Sequence, residues 1–132
     1  MDATVPCASP GDPQQLERIV PEPEIIAVLT TFPTDEEAAT VVRTLVERQL
    51  VACGNLLPGV RSIYRWQGKV EDAGEVLCVL KTRRDRLTEL IAALEQLHSY
   101  DVPEIVALPV LGGGAAYLQW VGAEARGPAP RT

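Results

Sequence analysis

The sequence predicts an α+β fold of ferredoxin-like βαβ-βαβ order, and three observations predict it. Two short runs, Ile25-Ile26-Ala27-Val28-Leu29 and Val76-Leu77-Cys78-Val79-Leu80, are continuously apolar, as strands buried on both faces are. Two stretches with apolar residues three and four apart alternate with the strands, as crossover helices do. Two long extended arms meet at Gln67-Gly68, which reads as a hairpin joining two βαβ halves. Right-handed crossovers in both halves then place the two apolar runs side by side at the centre of the sheet.

Strand one is the β-branched run 25–29. Thr34, with Glu37 three positions later, forms a capping box. Ala38, Val41, Val42, Leu45 and Val46 follow at helical spacing to about Gln49. Residues 51–65 read as strand two, with a bulge or bend at Pro58-Gly59, because proline cannot donate to a ladder and glycine accepts the bend. Strand three runs from Lys69 to about Thr82. Leu87, Leu90, Ile91, Leu94 and Leu97 define a second helix, which delivers His98 at its C-terminal end. Strand four is Ile105-Val106-Ala107-Leu108-Pro109, Gly112-Gly113-Gly114 breaks the chain, and an extra helix runs from Tyr117 to about Ala125. Residues 1–22, with Pro6, Pro10, Pro13 and Pro21 and few large apolar groups, read as a disordered tail. Residues 23–126 form the domain, and 127–132, with Pro128 and Pro130, a second frayed end.

The hairpin carries the prediction beyond one chain. Two helices cover one face of a four-stranded sheet and leave the other bare. An arm of about 14 residues spans roughly 45 Å at about 3.3 Å per residue, against a radius of gyration of about 13 Å for a domain of this size. The hairpin therefore projects, and its unpaired edges call for another subunit to cover them.

Composition narrows the function classes. The 132 residues suffice for one core, and the net charge of −6 argues against a nucleic-acid partner, which needs a basic face. The short mixed run Arg83-Arg84-Asp85-Arg86 does not supply one. No apolar run approaches the roughly 18–20 residues of a membrane span, and the N-terminus has no signal-peptide pattern, so a cytoplasmic protein is expected. Cys7, Cys53 and Cys78 are far apart and contain no CxxC pair, which indicates neither a zinc ribbon nor a redox site, and Cys53 and Cys78 read as buried reduced thiols on strands. The densest chemistry lies in 97–104, where the single histidine, a tyrosine, two carboxylates and a proline join a helix to a strand. Such connections are where binding groups collect.

The hairpin segment Leu57-Pro58-Gly59-Val60-Arg61-Ser62-Ile63-Tyr64-Arg65-Trp66-Gln67-Gly68-Lys69 resembles that of the CutA family of divalent-cation tolerance proteins. Val28-Leu29-Thr30-Thr31, Ala52-Cys53-Gly54-Asn55, Leu80-Lys81-Thr82, Pro103-Glu104-Ile105 and Tyr117-Leu118-Gln119-Trp120 extend the likeness, in order, over about 25–122. The resemblance implies a homotrimer in which the long hairpins pair between subunits, a cytoplasmic location, tolerance of copper and other divalent ions, and no enzymatic activity. Two positions depart from the family pattern. Ser99 stands where His-Pro-Tyr is common, and Thr30 stands where some members carry a cysteine proposed as a metal ligand.

Against that background the candidate groups sort as follows. His98 and Glu104 are metal-ligand candidates, since imidazole and carboxylate suit copper(II) and zinc, although two donors per chain fall short of a full set. The alternative for His98 is to cap its helix and help line an inter-subunit cleft. Tyr100 and Asp101 belong to the same cleft, and Arg61 and Lys81 are candidates to hold an anionic ligand there. Ion pairing of the hairpin's basic side chains with Glu71, Asp72 and Glu75 is the competing reading. Tyr64, Trp66 and Trp120 are expected to anchor the trimer interface, where aromatics are enriched. No cofactor is required, and copper(II) or another divalent cation is the ion implied. A second reading is a signalling trimer resembling the PII proteins, with an effector between subunits. An acylphosphatase-like hydrolase is the third, weakened by the absence of a phosphate cradle. Gly112-Gly113-Gly114 lacks the Lys-Ser/Thr end of a phosphate loop and reads as a turn.

Overall fold

The computed structural model describes residues 24–127. The tail expected at 1–22 and the end beyond Gly127 lie outside the described residues. The elements follow in the order β1 (Ile25–Phe32), α1 (Asp35–Glu47), β2 (Cys53–Trp66), β3 (Lys69–Arg83), a 3₁₀ turn at Arg84–Arg86, α2 (Leu87–Leu97), β4 (Val106–Pro109) and α3 (Ala115–Glu124). The four strands form one antiparallel sheet ordered β2-β3-β1-β4. The two apolar runs are thus the central pair, as their lack of alternation implies.

Local chemistry explains most boundaries. Oγ1 of Thr34 accepts a hydrogen bond from the Glu37 amide at 3.1 Å, and Asp35, Glu36 and Glu37 place acidic charge in the first turn of α1. The reciprocal half of the expected capping box is missing, because the Glu37 carboxylate is turned to Ser99 instead. The same helix ends in a Schellman arrangement: Gln49 takes a left-handed φ of 58°, the Leu50 amide reaches the Leu45 carbonyl, and the Gln49 amide reaches that of Val46. Gln67 and Gly68 both have positive φ, which matches the right-handed twist of the hairpin arms they join. The expected bulge at Pro58-Gly59 is present as a register shift between Leu57 and Val60, with Gly59 at φ 82°.

The structure shifts several expected ends. β1 continues past Leu29 to Phe32, because Thr30, Thr31 and Phe32 pair with Cys78, Leu77 and Val76 of β3. β2 begins at Cys53 rather than at residue 51. α3 begins at Ala115, directly after the glycine run, rather than at Tyr117.

The core lies on one side of the sheet. Val28, Phe32, Val76, Cys78 and Leu80 point toward α1 and α2, where they meet Val41, Leu45, Leu90 and Leu94. Helix and strand approach very closely at Gly54, where a Cβ would stand 2.6 Å from Val42 Cγ1 and 2.8 Å from Leu80 Cδ2. The buried Thr82 hydroxyl donates to the Leu50 carbonyl at 2.6 Å, tying the end of β3 to the turn after α1. The other side of the sheet is covered at one end, where Val121 of α3 and its C-cap residue Ala125 pack on Ile25 and Ala52, and at the other, where Thr31 and Glu75 are buried beside Tyr100. Across the rest of that face, Leu57, Val106 and Leu108 remain exposed beside half-buried Leu29, Leu77 and Val79.

Candidate functional site

His98 is the C-cap residue of α2 and is buried, stacked on Phe32 with ring centroids 4.3 Å apart and planes 9° from parallel. Its Nε2 lies 2.7 Å from the Thr31 carbonyl oxygen, which can only accept, so Nε2 carries the proton. Nδ1 then accepts a hydrogen bond from the Tyr100 amide at 3.1 Å. Both ring nitrogens are used in holding the chain after α2 against the end of β1. In this arrangement His98 offers no free lone pair to a metal ion.

A second clamp acts beside it. The Glu37 carboxylate accepts hydrogen bonds from the Ser99 amide at 3.0 Å and from its hydroxyl at 2.8 Å. Glu37 Oε2 also lies 3.9 Å from His98 Nδ1. The serine at this position thus supplies both an amide and a hydroxyl to the clamp, neither of which a proline would have.

Past these clamps the loop turns back over the projecting hairpin and encloses a cleft of about 780 Å³. Tyr64, Trp66 and Glu75 of the hairpin face Tyr100, Asp101 and Glu104 of the loop across it. The Tyr100 hydroxyl donates to Glu75 Oε2 at 2.7 Å, joining the two walls. Burial, and then the hydrogen bond and charge of Glu75, hold the Tyr100 phenol well above the usual tyrosine range, so it stays protonated as the donor.

The cleft thus brings together Tyr100, Asp101, Glu104, Tyr64 and Trp66 of the residues singled out from sequence, with His98 buried behind them. Arg61 and Lys81, expected at the same place, lie elsewhere. Arg61 makes a two-point pair with Asp72 at 2.8 and 2.6 Å on the exposed arm. This pair holds Asp72 below and Arg61 above their ordinary pKa values. Lys81 binds the Asn55 side chain. Trp120 is on α3, tilted against Tyr117 at 5.7 Å, away from the cleft lining. Thr30 faces the helix-covered side opposite Cys78, and its buried hydroxyl has no partner among the described residues. It is the next residue, Thr31, that reaches the cleft.

Glu75, which the sequence groups with the acidic partners of the hairpin's basic side chains, is 9% exposed and bonded to Tyr100 instead. The available signal was its position directly before the apolar run of β3, where a carboxylate needs a buried partner. The donors do not converge on a metal. Among the described residues, no group of three or more His, Cys, Asp and Glu side chains is placed to hold one.

Comparison with known proteins gives this architecture a lineage. A family model described as CutA1 divalent ion tolerance protein matches residues 26–124. The chain belongs to the CutA1 family. It is 47% identical over 94 residues to a divalent-cation tolerance protein CutA of Thermus thermophilus, a match covering 71% of this chain and 91% of the relative. It is 41% identical over 96 residues to a protein named CutA, chloroplastic, of Arabidopsis thaliana, covering 73% of this chain but 53% of that longer protein. The crystal structure of CutA1 from Oryza sativa superposes with a TM-score of 0.76 at 38% identity, covering 78% of this chain and 94% of that one. The four-stranded antiparallel sheet with its helices is the CutA1 arrangement. No helix among the described residues is long and apolar enough to cross a membrane.

Proposed function

We propose that this CutA1 chain works as a cytoplasmic homotrimer of ferredoxin-like subunits in tolerance of divalent metal ions, copper(II) foremost. Its cleft at the end of the hairpin then lies at a subunit boundary. The observation that carries the reading is the open face of the sheet. Leu57, Val106 and Leu108 form a broken apolar stripe across β2 and β4 at 43%, 45% and 44% exposure. A monomer in water gains nothing from this surface, whereas a second copy burying it gains roughly 25 cal/mol per Å² of apolar area. Both outer strands, β2 and β4, also have an edge unpaired within the chain, and pairing with a neighbour would satisfy it. Tyr64, Trp66 and Trp120 are the aromatic side chains such a neighbour would meet.

The residues of one chain do not make a complete metal site. Glu104 is an available oxygen donor in the cleft, but His98 is committed to Thr31 and Tyr100, and a third donor would have to come from a neighbouring subunit. His98 is therefore given the role of a post that fixes the loop. Light scattering on the purified chain is expected to return about three times the 14.3 kDa chain mass, and a monomer would overturn the assembly. Calorimetric titration with copper(II) on wild type, Glu104→Gln and His98→Ala tests the metal. Loss of binding in Glu104→Gln supports the boundary site, and unchanged binding in both variants removes it.

A further inference from the structure

We propose that the cleft between the hairpin and the loop binds an organic cation, a ligand with an ammonium or guanidinium group on an apolar body. The inference rests on the reading of the cleft as a ligand site, and it changes the class of ligand from an ion to a molecule.

Three features of the lining point the same way. The first is charge: Glu75, Asp101 and Glu104 line the cleft, and no Lys, Arg or His does. Arg61 and Lys81 are engaged elsewhere, by Asp72 and Asn55, and Arg65 and Lys69, the basic side chains nearest in sequence to Tyr64 and Trp66, are not in the lining. The second is aromatic content. The chain has two tryptophans, three tyrosines and one phenylalanine, and Trp66, Tyr64 and Tyr100 all stand in this one lining. Tyr64 and Trp66 are two residues apart on β2 and so present their rings from one side of the strand. The negative face of such a ring attracts a cation within about 6 Å of its centroid, with tryptophan the strongest partner.

The third feature is Glu75. Glu75 is 9% exposed, and Tyr100 donates a hydrogen bond to only one of its carboxylate oxygens. Oε1 has no hydrogen-bond partner among the described residues, on a side chain that lines the cavity. Oε1 is not among the fully buried polar atoms left without a partner, so it opens toward the cleft, where a positively charged N–H donor can reach it.

A bare divalent ion fits this lining less well. Such an ion needs several donors at 2–2.6 Å around one point, and the carboxylates do not converge in that way. A volume of about 780 Å³ is within the range that holds a small molecule rather than an ion. Aromatic walls add nothing to a hydrated metal but do desolvate an alkylammonium.

The test is calorimetric titration of the assembled protein with agmatine, putrescine and tetramethylammonium. Butanol, butyrate and zinc serve as neutral, anionic and metal controls, and light scattering is run on the same samples. Saturable binding of at least one cation, with none of butanol or butyrate, is expected. Glu75→Gln and Trp66→Leu are each expected to weaken it by about tenfold, and Arg61→Ala to leave it unchanged. A folded trimer that binds no organic cation, or binds one with unchanged affinity in both variants, overturns the inference while leaving the assembly intact. A monomeric wild type overturns the assembly, and cation binding by that monomer would still uphold the ligand class. Far-UV circular dichroism of each variant confirms that loss of binding is not loss of fold.

Discussion

The inner and outer halves of β3 belong to one strand and live in different surroundings. From Val76 to Thr82 every second side chain is buried, at 6% for Val76 and 0% for Cys78, Leu80 and Thr82, under two helices. From Lys69 to Ala73 the same strand keeps its ladder to β2, yet its alternation leads into solvent, with Val70 67% exposed. Backbone pairing is continuous through both halves apart from the shift at Leu57–Val60. What differs is what lies above the sheet. Strand pairing sets the shape of the hairpin, but only the inner half has a core to stabilise it.

That contrast can be broken most severely from the inside. Leu80→Ala removes a fully buried side chain from between α1, β1 and β2 and should cost about 2–5 kcal/mol in denaturant unfolding. Val70→Ala should change the stability of the single subunit by less than about 0.5 kcal/mol, so any larger loss measures what a neighbouring copy adds at the outer half. A cost at Val70 matching that at Leu80 would mean that the outer arm is itself a core in the assembled protein.

A smaller effect sharpens the same contrast through pH. Burial, with the charge of Asp35 adding to it, pushes the Cys78 thiol from 9.0 up to about 11. The unfolded thiol ionises above about pH 9 while the folded one keeps its proton. The folded state thus binds more protons in this window, and stability falls as pH rises from 9 toward 11. This contribution is on the order of 2 kcal/mol. Comparing unfolding midpoints of wild type and Cys78→Val from pH 8 to 11 isolates it, and parallel profiles for the two proteins would remove the explanation. The smallest effect is expected on the outer arm, where Arg61 and Asp72 are solvated. Removing their pair by Arg61→Ala should leave the melting temperature within error at physiological salt, and a clear drop would show that a neighbour buries this pair.

The sequence carried the central pair, both crossover helices and the bulge, because each shows in local periodicity or in turn chemistry. Pro58-Gly59 and Gln67-Gly68 announced a bend and a turn without reference to the rest of the chain. The site was legible as a segment but not as a set of bonds. His98 reads both as a metal donor and as the cap of its helix, because nothing nearby in sequence shows that the Thr31 carbonyl, 67 positions away, claims Nε2. Glu37 fitted a capping box by spacing, and tertiary structure redirected its carboxylate to Ser99. Glu75 lies among other acidic residues, and its place before the apolar run signals burial without naming Tyr100 as the partner, just as nothing local pairs Asp72 with Arg61. Local rules reach as far as the elements, while partners between elements depend on which faces the topology brings together.

The bond from Ser99 to Glu37 links residues 62 positions apart, one from each βαβ half. Such a contact cannot form until the halves have docked, because a long intervening loop must close first. The loop over the cleft is therefore expected to settle late, which chevron kinetics of Ser99→Ala would test. Substitutions in it register in the rate of unfolding far more than in the rate of folding. On that expectation, changes in the cleft leave the folding rate of the domain nearly unchanged.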